Sequence, residues 1–269
     1  MPMDLMLLST PIQYFKFFMT GEIFEHILHQ STLYSVQQCS SKAFNAKVEE
    51  LEQFIGISLY MSIIQLPSTR HYWSSLLGHP VVSEVMSCNR WEEIKRCIHF
   101  NYNTTFVPAG QDGHDNLHKI RPILDAIRKR LLLVPKEEYL AVDEQIIPTK
   151  SRSSIKQYNA KKPHKWGYKA FVLSGISGFS HDFDIFAGAQ SNTVPDGAPD
   201  LGASSNVVVR LTQSVPRHHN YKIFFDNWFT SVPLEVFLHY QQQEPKAWEV
   251  IMRLQSKTTR KRYSKKCCV

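Results

Sequence analysis

At 269 residues the chain is long enough to bury a sizeable core and to form one or two domains, and 43% hydrophobic with 20% charged residues excludes a disordered or fibrous polymer. The formal net charge of +7 suggests nucleic acid, but eight of the 31 Lys and Arg and one of the 24 Asp and Glu follow residue 245, so the first 245 residues are balanced. The longest uncharged run, Gln53–Thr69, holds Gln, Ser, Pro and Thr, which favours a buried helix over a membrane span.

Residues 1–135 read as a mostly helical region. Ser9-Thr10-Pro11 opens a helix, with Pro where a missing N–H costs nothing. The run from Lys47 spaces Val48, Leu51, Phe54, Ile55, Ile57, Leu59 and Ile63 three and four apart, with Glu49 and Glu50 in its first turn. A third helix is expected over "NRWEEIKRCIHF", with Asn89 as cap and Trp91, Ile94, Cys97 and Ile98 inward, and a fourth over "HKIRPILDAIRKRLL". This region is expected to resemble a dimerisation or DNA-binding region, which leaves a homodimer open.

After Pro135 the period changes from helical to alternating. "YLAVDEQIIP", "WGYKAFVLSG" and "HDFDIFAG" read as three strands. A loop rich in Gly, Pro and Asn follows, and "SSNVVVRLTQSV" fits either a capped helix or an apolar extended run. "YKIFFD" is a fourth strand and "TSVPLEVFLHYQQQ" a closing helix, so 136–243 is ordered β-β-β-α-β-α. From 244 to 269 the chain is polar and basic, and a disordered tail is expected.

Five cysteines without a CxxC pair, and no basic cluster before the first apolar run, point to a reducing, intracellular protein with no secretory leader.

Two acids stand at awkward places, Asp143 inside the first strand and Asp226 at the mouth of the fourth. In this element order the fourth strand commonly lies beside the first, and neighbouring strands are roughly 5 Å apart. Two carboxylates at that range repel unless a cation sits between them, and a hard ion such as Mg2+ or Mn2+ suits them. The bland readings are an Asp-Asn turn before a helix and an exposed acid on an edge strand. Between Glu144 and Asp182 there is no acid, while seven cations occur: Lys150, Arg152, Lys156, Lys161, Lys162, Lys165 and Lys169. Tyr158, Trp166 and Tyr168 are interleaved, which suits a phosphate backbone, although a charge run also suits a solvated hairpin.

"VDEQIIPTKSRSSIKQYNAKKPHKWGYK" and "FFDNWFTSVPL" resemble the catalytic blocks of piggyBac-type transposases and their domesticated relatives. "FNAKVEELEQFIGISLYMSIIQLPSTRHYWS", "RWEEIKRCIHFN" and "KIRPILDAI" resemble the family's upstream helical region. The resemblance implies an α/β fold, with a partial ribonuclease-H-like catalytic domain after the helical region, and an Asp-Asp-Asp metal triad for cut-and-paste transposition. Asp143 and Asp226 match the first two of those acids. No Asp follows Asp226, and nothing resembles the family's Cys-rich zinc module, since Cys267-Cys268 supply too few ligands. The expectation is a C-terminally truncated, transposition-incompetent relative that binds DNA electrostatically with weak specificity, spans no membrane and resides in the nucleus, otherwise the cytoplasm. An active metal-dependent nuclease and a non-enzymatic chromatin module are the alternatives.

Overall fold

The computed structural model describes residues 3–38, 43–160, 162–188, 191–217, 219–240, 249–254 and 263–267. The chain divides into two compact units, Leu8–Ile127 and Met1–Leu7 with Arg128–Val269. Helix α1 (Met3–Met6) belongs to the second of them.

The first unit is built from α2 (Pro11–Phe18), α3 (Gly21–Gln38), α4 (Val48–Ile63), α5 (Pro80–Ser83), α6 (Cys88–Cys97) and the start of α7 (Arg121–Leu132). Their ends follow local chemistry. Gln13 reaches back to accept from the N–H groups of Ser9 and Thr10 at the start of α2, at 2.8 and 3.0 Å. Glu50 accepts from Lys47 N at 3.1 Å, satisfying an orphan donor of α4. Ser87, not Asn89, caps α6, because its hydroxyl accepts from Arg90 N while Asn89 lies inside the helix.

Phe24, Ile27, Leu51, Phe54, Trp91 and Ile94 are buried in one cluster. Leu59 and Ile63 at the end of α4 are exposed instead, because the inward stripe has rotated away by that turn. Helix α3 has no apolar signature in its second half. There small hydroxyls occupy the buried side: Ser31 donates to Ile27 O at 2.6 Å and Ser35 accepts from Phe44 N at 2.7 Å.

The second unit is a mixed α/β fold. Its sheet is ordered β2 (Gln157–Tyr158), β3 (Trp166–Gly175), β1 (Tyr139–Pro148), β5 (Lys222–Phe225), β6 (Glu249–Leu254), β7 (Tyr263–Cys267), with β4 (Ser180–Ile185) also on β3. β1 and β3 are antiparallel; β1 and β5 are parallel, in register from Tyr139↔Lys222 to Val142↔Phe225. Alternation sends Leu140, Val142, Phe171, Leu173, Ile223 and Phe225 to one face. There they meet Val207, Val208, Val209 and Leu211 of α8 (Ala203–Thr212) and Leu234 and Leu238 of α9 (Val232–Tyr240). The valine run is thus helical, and it is buried on nearly every side.

Two strands occupy the segment expected to be a disordered tail: β6 runs parallel to β5, and β7 antiparallel to β6. The far edge of β5 would otherwise present unpaired backbone groups. Val250 and Ile251 are β-branched residues of the kind enriched in strands.

Gly167 holds β3 close to β1: a Cβ there would lie 2.3 Å from Ile147 O. Gly167→Ala is expected to lower stability by about 1–3 kcal/mol through overpacking, read as a lower urea midpoint at unchanged m-value.

Candidate functional site

The parallel register of β1 and β5 ends at Val142↔Phe225, and the next residue along each is an aspartate, Asp143 and Asp226. Alternation puts Asp143 on the face of the sheet opposite Val142, and Asp226 is the first residue past the end of β5. Both are exposed, which removes the desolvation cost that a carboxylate in an apolar strand would otherwise carry. Asp143 Oδ1 accepts from Glu144 N at 2.7 Å, and Asp226 Oδ1 accepts from Trp228 N at 2.8 Å. The second contact is an Asx turn that leads the chain from β5 toward α9, with Thr230 Oγ1 donating to Asp226 O at 3.1 Å. Turn geometry and an outward carboxylate therefore coexist at Asp226.

Hard oxygen donors of this kind would suit Mg2+ or Mn2+. Among the described residues no group of three His, Cys, Asp or Glu side chains is placed to hold a metal.

The adjacent Glu144 points the other way, as period two requires, and organises part of the basic segment. Its carboxylate lies 3.5 Å from Lys169 Nζ and accepts from Asn159 Nδ2 at 3.3 Å, and its carbonyl accepts from Lys162 Nζ at 3.1 Å. Lys169 also sits 4.1 Å from the centre of the Trp228 ring and 4.9 Å from that of Phe171. The strand places Lys169 on the helix-covered face, where it meets an acid and two rings. Lys150, Arg152 and Lys165 are exposed; Lys156 donates to Ser151 O at 3.2 Å; Lys161 lies outside the described residues. The sequence contained the signal for this division, because Glu144 and Lys169 each stand an even number of residues from core positions on their strands.

At the β3–β4 end, Asp182 is fully buried and receives Arg128 Nε at 2.6 Å and Nη2 at 3.0 Å. Beside it His181, also buried, lies 3.4 Å from Glu137 Oε1, while its carbonyl accepts from Lys136 Nζ at 3.3 Å. Burial and the nearby Lys136 ammonium push the His181 imidazole below its ordinary 6.5, against the pull of Glu137. Hydrogen bonds from the Ser177 hydroxyl and backbone hold Glu137 below 4.5.

Both shifts have the same consequence. The unfolded chain binds more protons in acid, so stability is present above the unfolded pKa values and is lost as pH falls. The His181 contribution is expected to fade as pH drops below about 6.5, with Glu137 adding to the loss below about 4.5. His181→Gln should flatten the upper part of that fall in thermal melts.

A family model described as Transposase IS4 matches residues 10–244. Human PiggyBac transposable element-derived protein 3 is 27% identical over 233 residues, covering 84% of this chain and 37% of that protein. Human PiggyBac transposable element-derived protein 2 is 26% identical over 230 residues, covering 84% and 37%. The chain thus spans little more than a third of these relatives' length. A solved piggyBac transposase, in a synaptic complex with hairpin DNA, superposes with a TM-score of 0.77 at 23% identity, covering 94% of this chain and 52% of that one. The sequence match and the shared α/β fold together place the chain in the piggyBac-type transposase family.

Proposed function

We propose that this chain is a DNA-binding, piggyBac-derived protein whose sheet is the ribonuclease-H-like core of a transposase, and that by itself it grips DNA without cutting it. The parallel register of β1 and β5, which ends one residue before Asp143 and Asp226, carries the reading. Beside it runs a segment with exposed Lys150, Arg152 and Lys165 and no acid between Glu144 and Asp182. The solved relative bound to hairpin DNA supports DNA as the partner.

Asp143 and Asp226 are the proposed ligands of a metal ion. A bound Mg2+ or Mn2+ would supply positive charge to a phosphate there, and two carboxylates alone hold such an ion weakly. Without such an ion the two acids would repel a phosphate backbone. Phosphate binding then falls to the exposed cations, which carry no sequence information. The proposal includes nuclear residence, where such DNA is found.

The test is a labelled duplex incubated with the purified 269-residue chain in Mg2+ or Mn2+. No strand cleavage is expected, and Asp226→Asn should bind DNA at least as tightly as the parent. Cleavage by the parent that Asp226→Asn abolishes would overturn the non-cutting part. Binding should weaken steeply with salt, and Lys150→Gln/Arg152→Gln/Lys165→Gln should reduce the slope of log K against log salt by about 2–3. An unchanged slope in the triple variant would refute this basic segment as the DNA contact.

A further inference from the structure

The hairpin joining β2 to β3 carries two large rings on its surface. Tyr158 and Trp166 are cross-strand partners, each 54% exposed, with centroids 4.8 Å apart and planes tilted by 50°. Lys156 Nζ lies 5.6 Å from the Trp166 centroid. Arg152 and Lys165 are exposed nearby in the sequence.

The hairpin is held in place from beneath. Ile155 is buried, Asn159 N donates to Lys165 O at 2.7 Å, and Gly167 lets the next residue of β3 press against β1. Two rings of this size, more than half exposed on an anchored strand pair, leave apolar surface in water that packing in the fold does not use.

Strand alternation places Trp166 on the same face of the sheet as Asp143, which is opposite Val172. Six positions of β3 separate Val172 from Trp166, about 20 Å at the strand rise. A nucleic-acid strand passing from Asp143 to the rings would cover roughly six nucleotides at the stacked rise of about 3.4 Å, and fewer if extended; single-strand sites span about 4–16 nucleotides per OB-type module.

We propose that Tyr158 and Trp166 form a stacking platform for unpaired nucleobases, flanked by Lys156, Arg152 and Lys165 as phosphate contacts. This rests on the DNA-binding reading above and names its substrate class: DNA with exposed bases rather than fully paired duplex. The charge of the segment selects a polyanion, and the rings select one that offers flat apolar faces, which a duplex offers only at its ends. Stacking on an aromatic side chain is tolerant of base identity, so the preference is for unpaired structure and not for sequence.

The test compares, by fluorescence anisotropy at one salt concentration, a labelled single strand of about twelve nucleotides, an abasic strand of equal charge, and a duplex, sized to the footprint above. The parent chain should bind the normal strand about tenfold or more above the abasic strand. Trp166→Ala should remove most of that difference and leave duplex binding unchanged, and Trp166→Phe should restore much of it. Equal binding to normal and abasic strands would overturn the platform while leaving phosphate binding intact. Failure to bind any of the three would overturn both proposals. Should Trp166→Ala unfold, the parent's normal-to-abasic ratio still decides.

Discussion

Arg128→Ala should destabilise the sheet-bearing unit by about 3 kcal/mol, because breaking a buried ion pair strands the remaining charge. Asp182 is fully buried, and two nitrogens of Arg128 meet its two oxygens, with Phe183 N donating to Oδ1 at 2.8 Å. Removing the guanidinium leaves that single backbone donor among the contacts named here. The value lies at the lower end of the usual range since Arg128 is 39% exposed and water can enter behind it. In a melt the loss corresponds to a fall of roughly 6–12 °C for a unit of this size. A neutral pair, Arg128→Met with Asp182→Leu, should recover most of the loss, because it removes the buried charge together with its partner. A double variant as unstable as Arg128→Ala would show that shape, not charge, dominates at this position.

Phe229→Ala should cost about 3–5 kcal/mol, the usual range for a buried aromatic truncated to Ala. The ring is fully buried, stands edge-on to Phe171 at 6.1 Å and to Trp228 at 4.8 Å, and belongs to the core between sheet and helices. Its backbone N–H donates to Asp226 O, so the cavity would open directly beside the turn that holds the second aspartate. Urea denaturation measures the loss. Trp228→Ala is the informative contrast: its ring is about half exposed, so the stability change should be smaller. The cation that it covers, Lys169, should become more accessible to phosphate, seen as tighter DNA binding at low salt.

Much of the sheet was legible because its strands are short, apolar and alternating. "YLAVDEQIIP" and "WGYKAFVLSG" coincide with β1 and β3, and "YKIFFD" contains β5. Placing the fourth strand beside the first needed only the element order and the preference for a parallel pair. In the helical unit, α4 and α6 were legible by the spacing of their apolar residues, although the cap of α6 was not. Elements without one apolar stripe were not legible. Helix α3 buries serines that bond to backbone carbonyls and amides, so hydropathy is silent over half its length. Helix α8 is buried on so many sides that three successive valines read equally well as strand. Sequence also cannot choose among the cations of "IRKRLL" for Asp182, whose partner lies 54 residues away.

By itself the sequence determined the strand that carries Asp143, the aspartate that follows the fourth strand, and the presence of an acid-free, basic and aromatic segment, because these depend on residue type and local period; the family followed from the resemblance of its motifs. Tertiary structure alone decided how that segment is shared out. Pleating and cross-strand register put Lys169 under Trp228 beside Glu144 and put Trp166 with Tyr158 on the outside. Charge and ring count are properties of the chain, but which face a residue occupies, and what already holds it, is settled only when the strands pair.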